Sequence, residues 1–496
     1  MESGASSRSA SDWPIVVACG AALALGGGTT QGLWSDAIAQ LGGLVVILLL
    51  SIRLMRGEVR LWSLGPLCFA LAVAAISSMQ LCLLPPSIWS RLPGRSTIYE
   101  GLVHAGVDPP WLPLSLEPEA TLRSCLSLIP PIAVFLSSAL LGPALRRSMT
   151  VAVLSVAALS VLLGVAQTYG GPNSPLRFYE VTNLSSPVGF FANRNHYSAL
   201  SYCAAVFLGA WSIGWVRDRR EGETVKLSLA FLLYATFVFG VLSAGSRAGL
   251  FLALLGGLGL AAMALSEFEG VKTLVPLDRI AKGSRLLGVS LLATTALAAL
   301  AATIWSDKVA RIVEEIGARE PRIEIFRTTF RAASSYMPFG AGIGTFASVY
   351  QMFEDPQHIT PELINRAHND WLELWLEGGA PSLAVVVILS FGLFSAMGRV
   401  WRGVENGVCE FDQRLARASS IVVVLLAIHS LVDYPLRTTG LACVFALACG
   451  NLVGWRKVEA VRDLVAALDD RVIARPMRRP ASREPLVAST GEKAAG

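Results

Sequence analysis

The sequence predicts an all-α, polytopic membrane protein, and three observations carry that prediction. Of 496 residues, 53% are hydrophobic and 16% charged, with a mean hydropathy of +0.55, a balance that suits a chain dissolved in lipid rather than water. Apolar runs near 20 residues recur twelve times, each about long enough to cross ~30 Å of hydrocarbon as a helix. Lys and Arg gather on alternate loops between those runs, as cytoplasmic loops do.

The runs fall at 14–33, 36–52, 62–84, 125–142, 149–168, 197–215, 227–244, 248–265, 286–305, 371–398, 418–433 and 436–454. The first is the weakest, being Gly-rich around Gly26 to Gly28. It has no basic segment before it and is soon followed by another run, so it reads as a span rather than a cleaved leader. With both termini cytoplasmic, the inside loops hold Arg53, Arg56, Arg60, Arg146, Arg147, Arg217, Arg219, Arg220, Lys226, Lys272, Arg279, Lys282, Arg285, Arg399, Arg402, Arg414 and Arg417. The short outside loops hold only Arg91, Arg95, Arg123, Arg177, Arg194, Arg247 and Arg437. The expected arrangement is thus a membrane domain over 1–454, with outside segments at 85–124, 169–196 and 306–370, then a basic, flexible cytoplasmic tail over 455–496.

Composition also excludes some functions. The net charge of +5 is small for this length and is accounted for by inside loops, so no nucleic acid partner is expected. Seven cysteines (19, 68, 82, 125, 203, 443 and 449) lie within or at the ends of apolar runs and Cys409 lies in a polar loop, with no C-x-x-C. Neither a disulfide framework nor a thiolate metal site is indicated.

The longest outside segment, 306–370, reads as two short helices and a turn. Ile323, Phe326, Phe330 and Ala333 recur at helical spacing after Arg322, with Arg327 and Arg331 on another face. Pro338 stops that helix, and Gly340, Gly342 and Gly344 make a loop. "GAGIG" lacks the G-K-[ST] of a phosphate loop and reads as a plain turn.

Candidate chemistry collects at the outer boundary. His368 and Asn369 immediately precede a span whose first turns carry Asp370, Glu373 and Glu377. A lone His at a membrane edge is commonly just an interfacial polar residue. Carboxylates at membrane depth, however, are costly unless they face protein or a cavity, and neutral imidazole takes a proton near pH 7. Arg247 sits in a four-residue turn between Gly245 and Gly249. Its bland reading is an arginine snorkelling to headgroups. Arg194 stands among Asn193, Asn195 and His196. His429 and Asp433, four apart, share a helix face, and a structural hydrogen-bonded pair is the simpler reading. No D-x-D and no clustered His and carboxylate set suggests a metal, and the Asn183 sequon is uninformative. A metal-free, cofactor-free site with arginine as its counter-charge is expected.

These residues resemble the O-antigen ligase and polymerase superfamily. "RAHNDWLELWLEGG" is similar to its H-N-x-x-L-x-x-x-x-E-x-G signature through His368, Asn369, Leu372, Glu377 and Gly379. "PRIEIFRTTFRAASSYMPFGAGIGTF" resembles its Arg-led helix and turn, "SAGSRAGL" its S-R-x-G turn, and "FANRNHYSAL" its Asn-rich boundary. The resemblance implies a glycosyltransferase in the bacterial inner membrane. It would move a glycan, with inversion, from undecaprenyl diphosphate to a hydroxyl of lipid A core or a growing polysaccharide at the extracytoplasmic face. His368 would be the catalytic base, Arg247 and Arg322 would bind the donor diphosphate, and Asn369, Glu377, Arg194, Asn195 and Asp433 would support them. A protein-glycosylating relative and a solute or bicarbonate transporter are the alternatives. Transport predicts paired repeats with broken helices at the midplane, and no convincing repeat is present.

Overall fold

The computed structural model describes residues 12–30, 32–59, 64–218, 223–269, 321–357, 363–402 and 410–455. The predicted span 286–305, the start of the loop at 306–320, and the tail beyond 455 lie outside the described residues. Among these residues the protein is helical apart from one two-stranded ribbon. In chain order the helices are α1 (Trp13–Leu25), α2 (Trp34–Met55), α3 (Gly65–Met79), α4 (Pro86–Trp89), α5 (Ser96–His104), α6 (Pro118–Ser127), α7 (Ile129–Leu140), α8 (Pro143–Tyr169), α9 (Arg194–Asp218), α10 (Glu223–Ala244), α11 (Arg247–Glu269), α12 (Pro321–Ser335), α13 (Phe346–Phe353), α14 (Asp370–Trp401), α15 (Glu410–His429) and α16 (Thr439–Gly454). Strands β1 (Leu83–Leu84) and β2 (Leu112–Pro113) pair antiparallel.

Seven of the described helices are long and apolar enough to cross a membrane: α2, α6 joined to α7 through Leu128, α8, α9, α10, α11 and α14. Three shorter apolar helices, α1, α3 and α16, complete the bundle with α15. Eleven of the twelve predicted runs fall on helices, but several boundaries differ. The first run stops at Leu25 instead of residue 33, leaving a helix of about 20 Å. The cause is close packing after it. A Cβ on Gly26 would lie 2.6 Å from Thr439, and one on Gly27 would lie 2.0 Å from the Phe190 carbonyl oxygen. That proximity lets Gly440 and Ala192 donate backbone hydrogen bonds to Gly26 and Gly27. The run 62–84 shortens to α3, and 418–433 ends at His429, so Asp433 lies in the turn that follows.

Helix α9 is the axis of the bundle, packed by α8, α10, α11 and α15. Its Tyr197, Leu200, Tyr202, Cys203, Ala204 and Phe207 are buried. At the far end of α11 from Arg247, the buried Glu267 is paired with Arg217 at 2.6 Å, Arg417 at 2.9 Å and Arg414 at 3.4 Å. Arginines counted as loop charges in the sequence therefore pin helices α9, α11 and α15 together.

A second, separate core sits over the start of α14. Ile325, Ala332 and Ala333 of α12, Phe346, Val349 and Tyr350 of α13, and Leu376 of α14 form it. The two short helices predicted within 306–370 are α12 and α13. The "GAGIG" stretch between them is a packing junction and not a plain turn. Gly340 (φ +78°) and Gly379 (φ +58°) approach so closely that a Cβ on either would lie 2.3–2.4 Å from the backbone of the other segment. At Gly379, α14 leaves helical geometry, and the junction accommodates that kink: Ala341 donates to Leu376, Gly342 to Glu377, and Ala380 to Pro338. The segment 80–124 locks on from the other side. Gln80 donates to the Glu377 carbonyl at 3.0 Å, and the buried Arg95 donates to the Gly340 carbonyl at 2.9 Å. Burial lowers the Arg95 guanidinium to about 10.

Candidate active site

The site is built where α14 begins, against the turn that follows α15 and the first turn of α9. Asn369 is the N-cap of α14. Its side-chain oxygen accepts from Leu372 N at 3.0 Å while its amide donates to the Leu431 carbonyl at 3.0 Å. The H-N pair in the sequence is thus partly a helix start. His368, one residue earlier, has φ +51°, a left-handed conformation that costs a non-glycine residue roughly 1–2 kcal/mol. Bonds on both sides hold it: the Asn369 cap, and Ala367 N donating to Glu373 at 2.9 Å.

The held conformation brings His368 Nδ1 to 3.2 Å from Asp433 Oδ1. Asp433 is fully buried and ionised, so it can only accept, and Nδ1 must be the protonated nitrogen. Nε2 then carries the free lone pair, on a side chain that is 28% exposed. Burial by itself would raise the Asp433 carboxyl. The hydrogen bond from His368 and the nearby His196 and His429 outweigh it and hold the group well below the usual carboxylate range. Asn195 donates to the other oxygen, Oδ2, at 2.7 Å. The Tyr434 ring lies edge-on to both His368 and His196, with centroids 5.0 and 4.9 Å away. His429 Nε2 is 4.0 Å from Asp433 Oδ2, too far for the direct hydrogen bond expected of that pair.

The other predicted residues distribute as follows. Arg322, at the start of α12, donates to the Val432 carbonyl at 3.0 Å, which places its guanidinium one residue from Asp433. Arg247 is exposed at the start of α11. A Cβ on Gly249 would lie 2.1 Å from Ser198 Oγ, so the Arg247 turn packs on the first turns of α9, which carry Asn195 and His196. The backbone N–H of Arg194 is capped by Asn183 Oδ1 at 2.8 Å, giving the sequon asparagine a structural role.

Glu377 belongs to a different assembly. Asp370, Glu373 and Glu377 lie along one face of α14, the last roughly 10 Å from the first. Arg437, in a 3₁₀ turn over Pro435–Arg437, bonds Glu377 at 2.7 Å and lies 3.5 Å from Glu373 and 3.6 Å from Asp370. Arg366 bonds Glu373 at 2.9 Å, and Phe346 N donates to Glu377 at 3.1 Å. Burial would lower the Arg437 guanidinium, but the three carboxylates raise it well above its ordinary range. Sequence reasoning missed both arginines as site residues. The signal was present: three carboxylates on one helix face at membrane depth require cations, and Arg366 and Arg437 are in segments that flank apolar runs.

Residues 229–387 match the family model described as O-antigen ligase. Over that stretch the chain is similar to the O-antigen ligase family. The match supports the O-antigen ligase and polymerase superfamily, and with it membrane-bound, lipid-linked glycan ligase or polymerase activity in general. None of the curated proteins matches the chain. The O-antigen ligase match includes Arg247, Arg322, His368, Asn369 and Glu377. Arg194, Asn195 and Asp433 stand outside it, in elements that the fold packs against it.

Proposed function

We propose that this protein transfers a glycan from undecaprenyl diphosphate to an acceptor hydroxyl, of lipid A core or of a growing polysaccharide, at the extracytoplasmic face of the bacterial inner membrane. The observation that carries the reading is the His368–Asp433 pair. An ionised, buried carboxylate fixes the proton on Nδ1 and leaves Nε2 to take the acceptor proton, an arrangement suited to general-base catalysis worth about 10²–10⁴ in rate. The hydroxyl oxygen attacks the anomeric carbon from the face opposite the leaving group, the sugar–oxygen bond to diphosphate breaks, and the configuration inverts. Negative charge grows on the leaving diphosphate. Arg322 and Arg247, on elements that border the pair, supply paired N–H donors for it.

The test is transfer by the purified protein in liposomes, with undecaprenyl-diphosphate glycan and candidate acceptors. His368→Ala should lower the rate by about 10²–10⁴ and leave the lipid-linked donor unspent; a wild-type rate would eliminate His368 as the base. In cells lacking the native protein, the same variant distinguishes acceptors. Loss of long chains with single units still attached points to a polymerase, and normal-length chains left on the carrier lipid point to a ligase.

A further inference from the structure

Two buried histidines converge on the Asp433 oxygen that His368 does not use. His196 comes from the first turn of α9 and His429 from the last turn of α15, and both are fully buried. Their Nε2 atoms lie 3.9 and 4.0 Å from Asp433 Oδ2. Neither Nε2 has a hydrogen-bond partner among the described residues, and His196 Nδ1 has none either. A buried ring nitrogen left unsatisfied costs roughly 1–3 kcal/mol, so two aimed at one carboxylate oxygen call for a ligand. The gaps are too long for direct hydrogen bonds, but a single water with legs of about 2.8 Å closes gaps of this size.

We propose that His196 and His429 are positioning residues for His368, acting on Asp433 through one shared water. The inference rests on His368 being the base. With Asn195, they place donors on Oδ2, disperse the Asp433 charge and keep Oδ1 aimed at His368 Nδ1–H. Tyr202 is placed to favour one His429 tautomer. Its hydroxyl is 3.0 Å from His429 Nδ1, and donation there leaves the ring proton on Nε2, facing Asp433. Among the described residues, the other ionisable groups within electrostatic reach of this cluster are Arg322 of α12, Arg366 before α14, Glu373 on α14, Tyr434, and Cys203 beside Tyr202 on α9.

The experiment is the pH dependence of kcat/KM for glycan transfer by the full-length protein in liposomes. With one ring gone the shared water is held by a single histidine and its donation to Oδ2 weakens, so more of the carboxylate charge falls on Oδ1 and strengthens its hold on the His368 Nδ1–H. In His196→Leu and His429→Leu the acid limb should therefore move up by about one pH unit, and His429→Gln, which restores an N–H donor, should return it toward wild type. An acid limb at the wild-type position in the leucine variants, whatever their rate, overturns the proposal. Should those variants not be recovered folded, Tyr202→Phe decides. It removes one hydroxyl and keeps the ring, and the limb should rise by about half a unit; an unmoved limb refutes the role. Failure of the underlying reading looks different, because His368→Ala would then transfer glycan at the wild-type rate.

Discussion

The start of α14 carries two charged assemblies that differ in how completely their charges are met. In one, Arg437 and Arg366 meet the buried Asp370, Glu373 and Glu377. In the other, Asp433 is just as buried, but its partner His368 is partly exposed, Arg322 reaches the neighbouring Val432 carbonyl and Arg247 lies exposed at the start of α11. A closed set of charges can only hold the fold. An open set held by a closed one can do chemistry, because the geometry is fixed before substrate arrives. The two assemblies are sequence neighbours, His368 standing between Arg366 and Asp370, so the clamp helps fix the strained backbone of His368.

That contrast predicts which variants lose the fold and which lose only transfer. The largest effect is expected from Arg437→Met, which leaves the buried Asp370 and Glu377 without a cation and Glu373 with Arg366 alone, and should cost about 3–5 kcal/mol, read as a large fall in thermal unfolding temperature in detergent. Stability near wild type would show that the clamp is not structural. Arg322→Ala and Arg247→Ala should each slow transfer by about 10²–10³, roughly 3–4 kcal/mol of transition-state stabilisation, with unfolding unchanged. A stability loss without a rate loss in either would move that arginine to the structural side.

Smaller effects sharpen the boundary. Asp433 has a depressed pKa in the fold, so its contribution to stability is present above the unfolded value near 4 and is lost as pH falls through the folded value. The unfolding-temperature difference between wild type and Asp433→Asn should be constant from about pH 5 to 8 and shrink below about pH 4. A difference that already shrinks between pH 8 and 6 would contradict an ionised Asp433. Asn369→Ala removes a helix cap, worth about 1 kcal/mol, and should lower stability modestly while also loosening His368. Unchanged stability would make Asn369 a contact for substrate alone.

Much of this was legible in the sequence because membrane helices announce themselves by length and apolarity. Helix α12 was visible in the spacing of Ile323, Phe326, Phe330 and Ala333, and the turn at Arg247 in its flanking glycines. What the sequence hid depends on contacts between distant segments. Gly26 and Gly27 shorten α1 because α16 and the Phe190 backbone press on them. Gly340 and Gly379 meet across a kink inside a run that reads as one continuous span. The His368–Asp433 pair joins positions 65 residues apart, and nothing in local spacing ties them. Arg437 was visible as a loop charge, but its three partners are set by the turn after α15 folding onto α14.

The most direct test of the account is to measure unfolding temperature and glycan transfer side by side for His368→Ala and Arg437→Met in the same liposome system. The account predicts that His368→Ala, which leaves Asp433 its bond from Asn195, loses much less unfolding temperature than Arg437→Met while transfer falls by at least about 10², and that Arg437→Met loses both. Retained transfer in His368→Ala, or a wild-type fold in Arg437→Met, would contradict the division of labour between the open pair and the closed clamp.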